Sequence, residues 1–213
     1  MIVIIDYGMG NLRSAQKGFE KAGYAAALSE DPADLGAAEG IVLPGVGAFK
    51  DCYEGLGSKG FVEPLLAAVS AGTPLLGICV GMQLLFEESD EGAGSQGLGI
   101  LPGRVVRFPY TDGLKVPHMG WNLLEPVEGV TCSLLEGLGP EPYVYFVHSF
   151  YPQPSDPGVV CATTTYGVSF ASVVGKDHVF GTQFHPEKSQ SEGIGILRAF
   201  GDYVQNNARS ATV

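Results

Sequence analysis

Pro74-Leu75-Leu76-Gly77-Ile78-Cys79-Val80-Gly81-Met82-Gln83-Leu84-Leu85-Phe86 changes character at its middle. Leu75, Leu76 and Ile78 form an apolar run short enough for a buried strand, and Met82, Leu84, Leu85 and Phe86 then recur at helical spacing. Between them stands Gly-x-Cys-x-Gly, which predicts a nucleophile elbow at a strand-to-helix turn. The turn is tight, and Cβ atoms at Gly77 or Gly81 would collide with the chain around them. A thiol at the start of a helix faces unpaired N–H groups and the positive end of the helix dipole, which favour thiolate. The same amides can receive an oxyanion. The competing reading is a buried structural cysteine, but flanking glycines after a buried strand argue for a nucleophile.

Outward from this stretch, the first half alternates strand and helix. Ile2 to Ile5 is a buried β run, and a glycine loop then opens a helix to about Ala22 with Leu12, Ala15 and Phe19 on one face. Gly8 and Gly10 invite a dinucleotide-binding reading, yet Arg13 occupies the place of the third glycine. Tyr24 to Leu28 and Gly40 to Leu43 read as strands, Phe61 to Ala71 as a helix closed by Gly72. Pro44-Gly45-Val46-Gly47 is a second glycine loop at the C-terminal end of a strand, where open α/β sheets gather ligands. This order predicts a parallel sheet with right-handed crossovers.

After Gly92 the pattern changes. Arg104 to Phe108, Tyr143 to Val147, Val159 to Thr164, Val168 to Val173 and Val179 to Gln183 read as strands, with a turn at Gly175-Lys176-Asp177. Lys115 to Asn122 has no periodicity and reads as irregular. A last helix spans Glu192 to about Gln205, and 206–213 is expected to fray. The expected fold is therefore α/β, with a mostly parallel central sheet flanked by helices and added antiparallel strands, one domain over 1–205.

Composition removes several classes. The chain has 213 residues, 45% of them hydrophobic, and a formal net charge of −11. No apolar segment approaches a membrane span, and no basic cluster offers a phosphate backbone its counterions. We expect neither membrane nor nucleic acid as partner. Met1 to Asp6 reads as a first strand rather than a signal peptide. Cys52, Cys79, Cys132 and Cys161 show no paired spacing, so they are expected to be reduced thiols in a cytoplasmic protein. No metal and no cofactor is expected, since the His and Cys residues lack ligand spacing.

A nucleophilic cysteine needs a base and a group to orient it. His178 sits near a turn and is expected to be solvated; His118 and His148 remain open. His185 is favoured because Phe184-His185-Pro186-Glu187 carries its own acid. Pro186 restricts His185 to extended conformations, and in an extended chain residues two apart face one side, bringing Glu187 to the ring. An α/β-hydrolase places its acid well before the histidine, whereas here it follows by two residues.

These residues resemble the class I glutamine amidotransferase family, whose glutaminase domains pair a Gly-x-Cys-x-Gly elbow with His-Pro-Glu. Five segments are similar to one branch of it: Ile5 to Leu12, Leu43 to Phe49, Pro117 to Asn122, Tyr145 to Tyr151 and Gln183 to Ser189. The resemblance implies a flavodoxin-like domain that hydrolyses glutamine and passes ammonia to a separate (β/α)8-barrel cyclase in a heterodimer of histidine biosynthesis. It also implies roles: Cys79 attacks, His185 and Glu187 complete the triad, and amides of Val46 and Val80 hold the oxyanion. Gly45, Gln83, Glu91, Ser149 and Phe150 would bind glutamine, Glu91 at its α-amino group and the Ser149-Phe150 backbone at its amino-acid end. Trp121 and Lys188 would face the partner. The family often has Tyr at the Phe150 position, which removes a hydroxyl but leaves main-chain contacts. Alternatives are a glutaminase of another class I enzyme, a cysteine hydrolase without ammonia transfer, and a non-catalytic binding module.

Overall fold

Strand and helix alternate in the first half, and the computed structural model, which describes residues 1–92, 94–110 and 112–210, folds that half into a parallel sheet. Its elements are β1 (Ile2–Ile5), α1 (Leu12–Ala22), β2 (Ala26–Ser29), β3 (Gly40–Gly45), α2 (Phe49–Ser58), α3 (Val62–Ser70), β4 (Leu75–Cys79) and α4 (Val80–Gln83). The second half supplies β5 (Glu88–Ser89), β6 (Ser95–Gln96), β7 (Gly103–Arg107), β8 (His118–Leu123), β9 (Glu125–Pro126), β10 (Tyr143–His148), β11 (Phe150–Pro154), β12 (Val160–Tyr166), β13 (Val168–Lys176), β14 (Val179–Thr182) and α5 (Gln190–Ser210). The central sheet runs β2-β1-β3-β4-β14-β13-β12-β9. It is parallel from β2 to β14 and antiparallel beyond. The expected mixed architecture is the one observed. A four-stranded sheet, β11-β7-β5-β6, and the β10-β8 pair lie apart from it.

Parallel order explains the site. Strands β3, β4 and β14 are neighbours, with Gly45 opposite Cys79 and Thr182 opposite Ile78. Their C-terminal ends therefore open on one edge, which brings the Pro44–Gly47 loop, the elbow and the His185 segment together from across the chain. β3 and β4 are buried on both faces, so they read as apolar runs of Val, Ile and Leu rather than as alternation. The helices cover them: Phe19 of α1 meets Phe200 of α5 edge-on with ring centroids 6.1 Å apart, a packing that adds to the apolar area both rings bury.

Three readings change. First, α2 was not expected, because Gly55 and Gly57 dilute its helical signal; Phe49, Cys52 and Leu56 nonetheless form its buried face. Second, Lys115 to Asn122 is not irregular throughout, since His118–Leu123 pairs along its length with Tyr143–His148. Gly120 and alternating large side chains on an exposed sheet hid that strand. Third, the last helix continues past 205 to Ser210. Val204 packs on Gly40, and Asn207 donates to the Gly72 carbonyl at 3.3 Å. Of the tail expected to fray, 211–213 lie outside the described residues. Among the described residues no helix is long and apolar enough to cross a membrane.

The elbow depends on its two glycines. A Cβ at Gly77 would stand 2.6 Å from the Gly81 carbonyl oxygen, and one at Gly81 would stand 1.9 Å from that of Leu43. Neither neighbour is a movable side-chain tip. Gly81→Ala is expected to cost at least about 3 kcal/mol, the upper end of overpacking, because β3 or the elbow must shift as a unit. Thermal unfolding of the variant checks this; an unchanged Tm would show that the turn yields freely.

Candidate active site

Cys79 ends β4 with φ 56° and ψ −111°. Such a backbone costs a non-glycine residue about 1–3 kcal/mol and is retained only where the surroundings enforce it. The helix beyond is shorter than its apolar spacing suggested: α4 is a single turn, Val80–Gln83, and 84–86 continue as hydrogen-bonded turns. Cys79 is buried at 3% exposure, and beside it lies a cleft of about 270 Å³. Val46, Gly47, Val80, Gln83, Glu91, Pro117, Val147, His148, Ser149, Phe150 and His185 complete its lining.

His185 stands three residues past β14, and its Nδ1 is 2.8 Å from Oε1 of Glu187. The carboxylate arrives by a route other than the expected extended chain. His185 is extended, but Pro186–Lys188 form a turn of 3-10 helix that folds Glu187 back to the ring. The turn is tied down: Ser189 Oγ donates to the His185 carbonyl at 2.6 Å and accepts from the Tyr145 N–H at 3.0 Å. His185 N–H in turn donates to the Tyr145 carbonyl at 3.0 Å. Burial by itself would lower the basicity of His185, yet hydrogen bonds to Cys79 and Glu187, with their charges, push its pKa up to about 10. Its ring is thus an imidazolium at neutral pH, held between the two partners. The second oxygen of Glu187, Oε2, is buried with no hydrogen-bond partner.

Gln83 is 3% exposed rather than a surface helix residue. Its Nε2 donates to the Phe150 carbonyl at 2.9 Å and to Gln183 Oε1 at 3.1 Å. Both amide hydrogens are committed to the protein. Glu91 lines the cleft, and its Oε2 accepts from the Phe49 N–H at 2.8 Å, capping α2. Gly45 is not among the lining residues. It backs the elbow, where a Cβ would meet the Gly81 nitrogen at 2.5 Å. Val46 projects into the cleft mouth and is 45% exposed.

Three further residues, Gln183, Tyr7 and Cys52, support this centre without having been singled out for it. Gln183 is fully buried and its Nε2 donates to Cys79 Sγ at 3.9 Å. Its signal was its place, one step beyond a buried strand and two before His185. Tyr7 donates to the Pro44 carbonyl at 2.7 Å, and Cys52 Sγ donates to the Val46 carbonyl at 3.6 Å. These two bonds grip the glycine loop on both sides of Gly45. His148 belongs to the cleft wall. By contrast, His178 is not simply solvated: it is half-buried with Nε2 2.8 Å from the Val69 carbonyl.

Trp121 and Lys188 come together on the outer face of the β8-β10 pair. Trp121 is 46% exposed and packs edge-on against Tyr145 at 6.0 Å. Lys188 Nζ stands 6.0 Å over the same ring. Met119 and Tyr143 are exposed on the same two strands.

The chain matches the family described as Glutamine amidotransferase class-I over residues 3–201. It is 56% identical to a protein of Syntrophotalea carbinolica named imidazole glycerol phosphate synthase subunit HisH, over 95% of this chain and 100% of that protein. Proteins of the same name from Geobacter metallireducens and Salinibacter ruber are 53% and 51% identical; the alignments cover 93% and 100% of this chain and 96% and 99% of theirs. Two solved structures share the fold at low identity. One, described as a glutamine amidotransferase, superposes with a TM-score of 0.75 at 22% identity over 96% of this chain and 100% of that one. The other, PurLQS from Thermotoga maritima, gives 0.74 at 19% identity over 95% and 98%.

Proposed function

As the chain belongs to the class I glutamine amidotransferase family, in the branch of the imidazole glycerol phosphate synthase subunits HisH, we propose that Cys79, His185 and Glu187 hydrolyse glutamine. The ammonia then passes to a separate (β/α)8-barrel cyclase. The observation that carries this reading is His185, set between Cys79 and Glu187 at the floor of a cleft of small-molecule size.

Cys79 Sγ attacks the side-chain amide carbon of glutamine, forming a C–S bond and an oxyanion. N–H groups of Val80, at the start of α4, and Val46, on the glycine loop, stabilise that charge. Collapse of the tetrahedral species breaks the C–N bond, and His185 gives its proton to the departing nitrogen. Ammonia leaves and a glutamyl thioester remains. His185, now neutral, takes a proton from water as the water attacks the thioester carbon; glutamate departs and the sulfur is regenerated. Glu187 fixes the ring tautomer through Nδ1 and balances its charge.

Gln83, Glu91, Ser149 and Phe150 hold the amino-acid end of the substrate, with Gly45 shaping the loop behind. Trp121, Lys188 and the aromatic face around Tyr145 receive the cyclase, since exposed aromatic and cationic anchors suit an interface centre. His185 N–H is bonded to Tyr145, so this face adjoins the triad directly. Protection of ammonia gives the arrangement a purpose: in neutral water it would be protonated and lose its lone pair. The cyclase would use it to form imidazole glycerol phosphate and an aminoimidazole carboxamide ribotide.

The test is glutamate release from glutamine by this chain alone, with the cyclase, and with cyclase plus its nucleotide ligand. Slow release alone and a strong rise in the ternary mixture are expected. Release that ignores the cyclase would discard the partner while keeping the glutaminase chemistry.

A further inference from the structure

His118 and His148 lie opposite each other in the β8-β10 ladder, buried at 3% and 6% exposure. The triad uses neither. His118 Nδ1 and His148 Nε2 are 3.0 Å apart, so one must donate to the other. The flanking partners decide which.

At one end, His148 Nδ1 is 2.8 Å from the Phe150 carbonyl, which can only accept. That nitrogen carries the proton, and Nε2 of the neutral ring presents its lone pair to His118. At the other end the Asn122 amide has a determined orientation. Its Oδ1 accepts from the Leu123 N–H at 2.8 Å, and its Nδ2 donates to the Thr165 carbonyl at 3.0 Å. The same Nδ2 approaches His118 Nε2 at 3.3 Å, which makes that nitrogen the acceptor. His118 therefore bears its proton on Nδ1 and donates it to His148. One proton per ring satisfies every contact, whereas a second on either ring would set two N–H groups against each other. Tyr166 and Phe146 stack on His118 at 4.1 and 4.8 Å, and Phe170 and Phe108 flank His148 at 5.0 and 5.2 Å. In that apolar cage burial lowers the pKa of His118 to about 4 and of His148 to about 3, so both rings stay neutral.

The chain of bonds ends on the Phe150 carbonyl, which also accepts from Gln83. We infer that Asn122, His118 and His148 form a neutral hydrogen-bond relay that holds the Ser149-Phe150 main chain in place to receive the amino-acid end of glutamine. The histidines are positioning residues. This rests on the glutaminase reading above. The relay starts beside Trp121, so the strand that faces the partner and the segment that faces the substrate share one set of hydrogen bonds. Losing the donor at His118 leaves His148 Nε2 buried without a partner and loosens Phe150, which weakens substrate binding more than it slows chemistry.

Two measurements on the full chain test the relay. Long-range 1H–15N spectra at neutral pH are expected to show both rings neutral and protonated on Nδ1, the minor tautomer of free imidazole side chains in water. An Nε2-protonated or charged form of either ring would overturn the inference. In kinetics, His118→Phe keeps an aromatic ring but no donor. It is expected to raise KM for glutamine roughly tenfold, with kcat changed less than about threefold, the scale of one lost buried hydrogen bond. His118→Asn, whose amide can place a donor near the Nδ1 position, should recover most of the KM. A fall in kcat at constant KM, or no change in either, would also overturn it. Absence of any glutamine turnover by the unaltered protein would instead sink the glutaminase reading, and the tautomers would still report on the relay.

Discussion

Replacing Cys79 with alanine is expected to abolish glutamine hydrolysis, with a fall of at least about 10⁴-fold in kcat, as for nucleophiles that act as one unit with their base. The variant keeps the fold, because Cys79 is a small side chain at the end of a buried strand and, among the described residues, only Gln183 Nε2 and the His185 ring lose a partner at Sγ. The backbone strain at φ 56° remains in Cys79→Ala, so a near-native Tm is expected beside the lost activity. That pairing separates the proposed role from a structural one. A buried thiol that serves packing alone would lose stability on truncation and leave turnover in place. Glutamate release measured with the partner present reads the difference; residual turnover near the unaltered rate would end the case for Cys79 as nucleophile. Cys79→Gly, with its strain relieved, makes a useful companion.

Glu187→Gln is expected to lower kcat by roughly 10²- to 10⁴-fold, in line with loss of the orienting acid in comparable triads. The amide still accepts from Nδ1 but carries no charge against the imidazolium, so the pKa of His185 falls from its value of about 10. The sign of the pH effect follows. A raised folded-state pKa stabilises the protein fully below the ordinary value of 6.5, and that contribution drains away as pH rises through about 10. Glu187→Gln should therefore close this window from its alkaline side, with the Tm difference from the unaltered protein largest below about pH 6.5 and shrinking as pH rises toward 10. The amide –NH2 would also occupy the position of Oε2, a buried atom with no hydrogen-bond partner, and bring two hydrogens into a place where nothing receives them. A Gln variant with unchanged kcat and an unshifted alkaline limb would remove Glu187 from the mechanism.

Much of the fold and the core of the site were legible in the residues themselves, wherever the physics is local. Gly77 and Gly81 around Cys79 announce a tight turn; the clash at Gly77 belongs to that turn, while the one at Gly81 is with Leu43 of the neighbouring strand. His185-Pro186-Glu187 carries its own acid within two residues. The continuous apolar runs of β1, β3 and β4 read as a parallel sheet because both faces are buried, whereas β14, expected among the antiparallel strands, pairs parallel with β4. Other features could not be read this way. Gly55 and Gly57 spoil the helical pattern of α2, which is held by the core under Phe49, Cys52 and Leu56. His118–Leu123 is a strand by virtue of its partner, Tyr143–His148, since Gly120 interrupts its apolar pattern and its exposed face shows no buried stripe.

The sequence by itself determined the elbow, the acid–base pair and the parallel core, for each depends on residues a few positions apart or on one strand's burial. Only the tertiary structure decided how these meet. It placed Gln183 against Cys79, Tyr7 and Cys52 on the carbonyls of the glycine loop, and His118 against His148. Those partners are 30 or more residues apart in three of the four cases. A hydrogen bond between distant positions leaves no periodicity in the chain; it exists once the sheet has set strand beside strand.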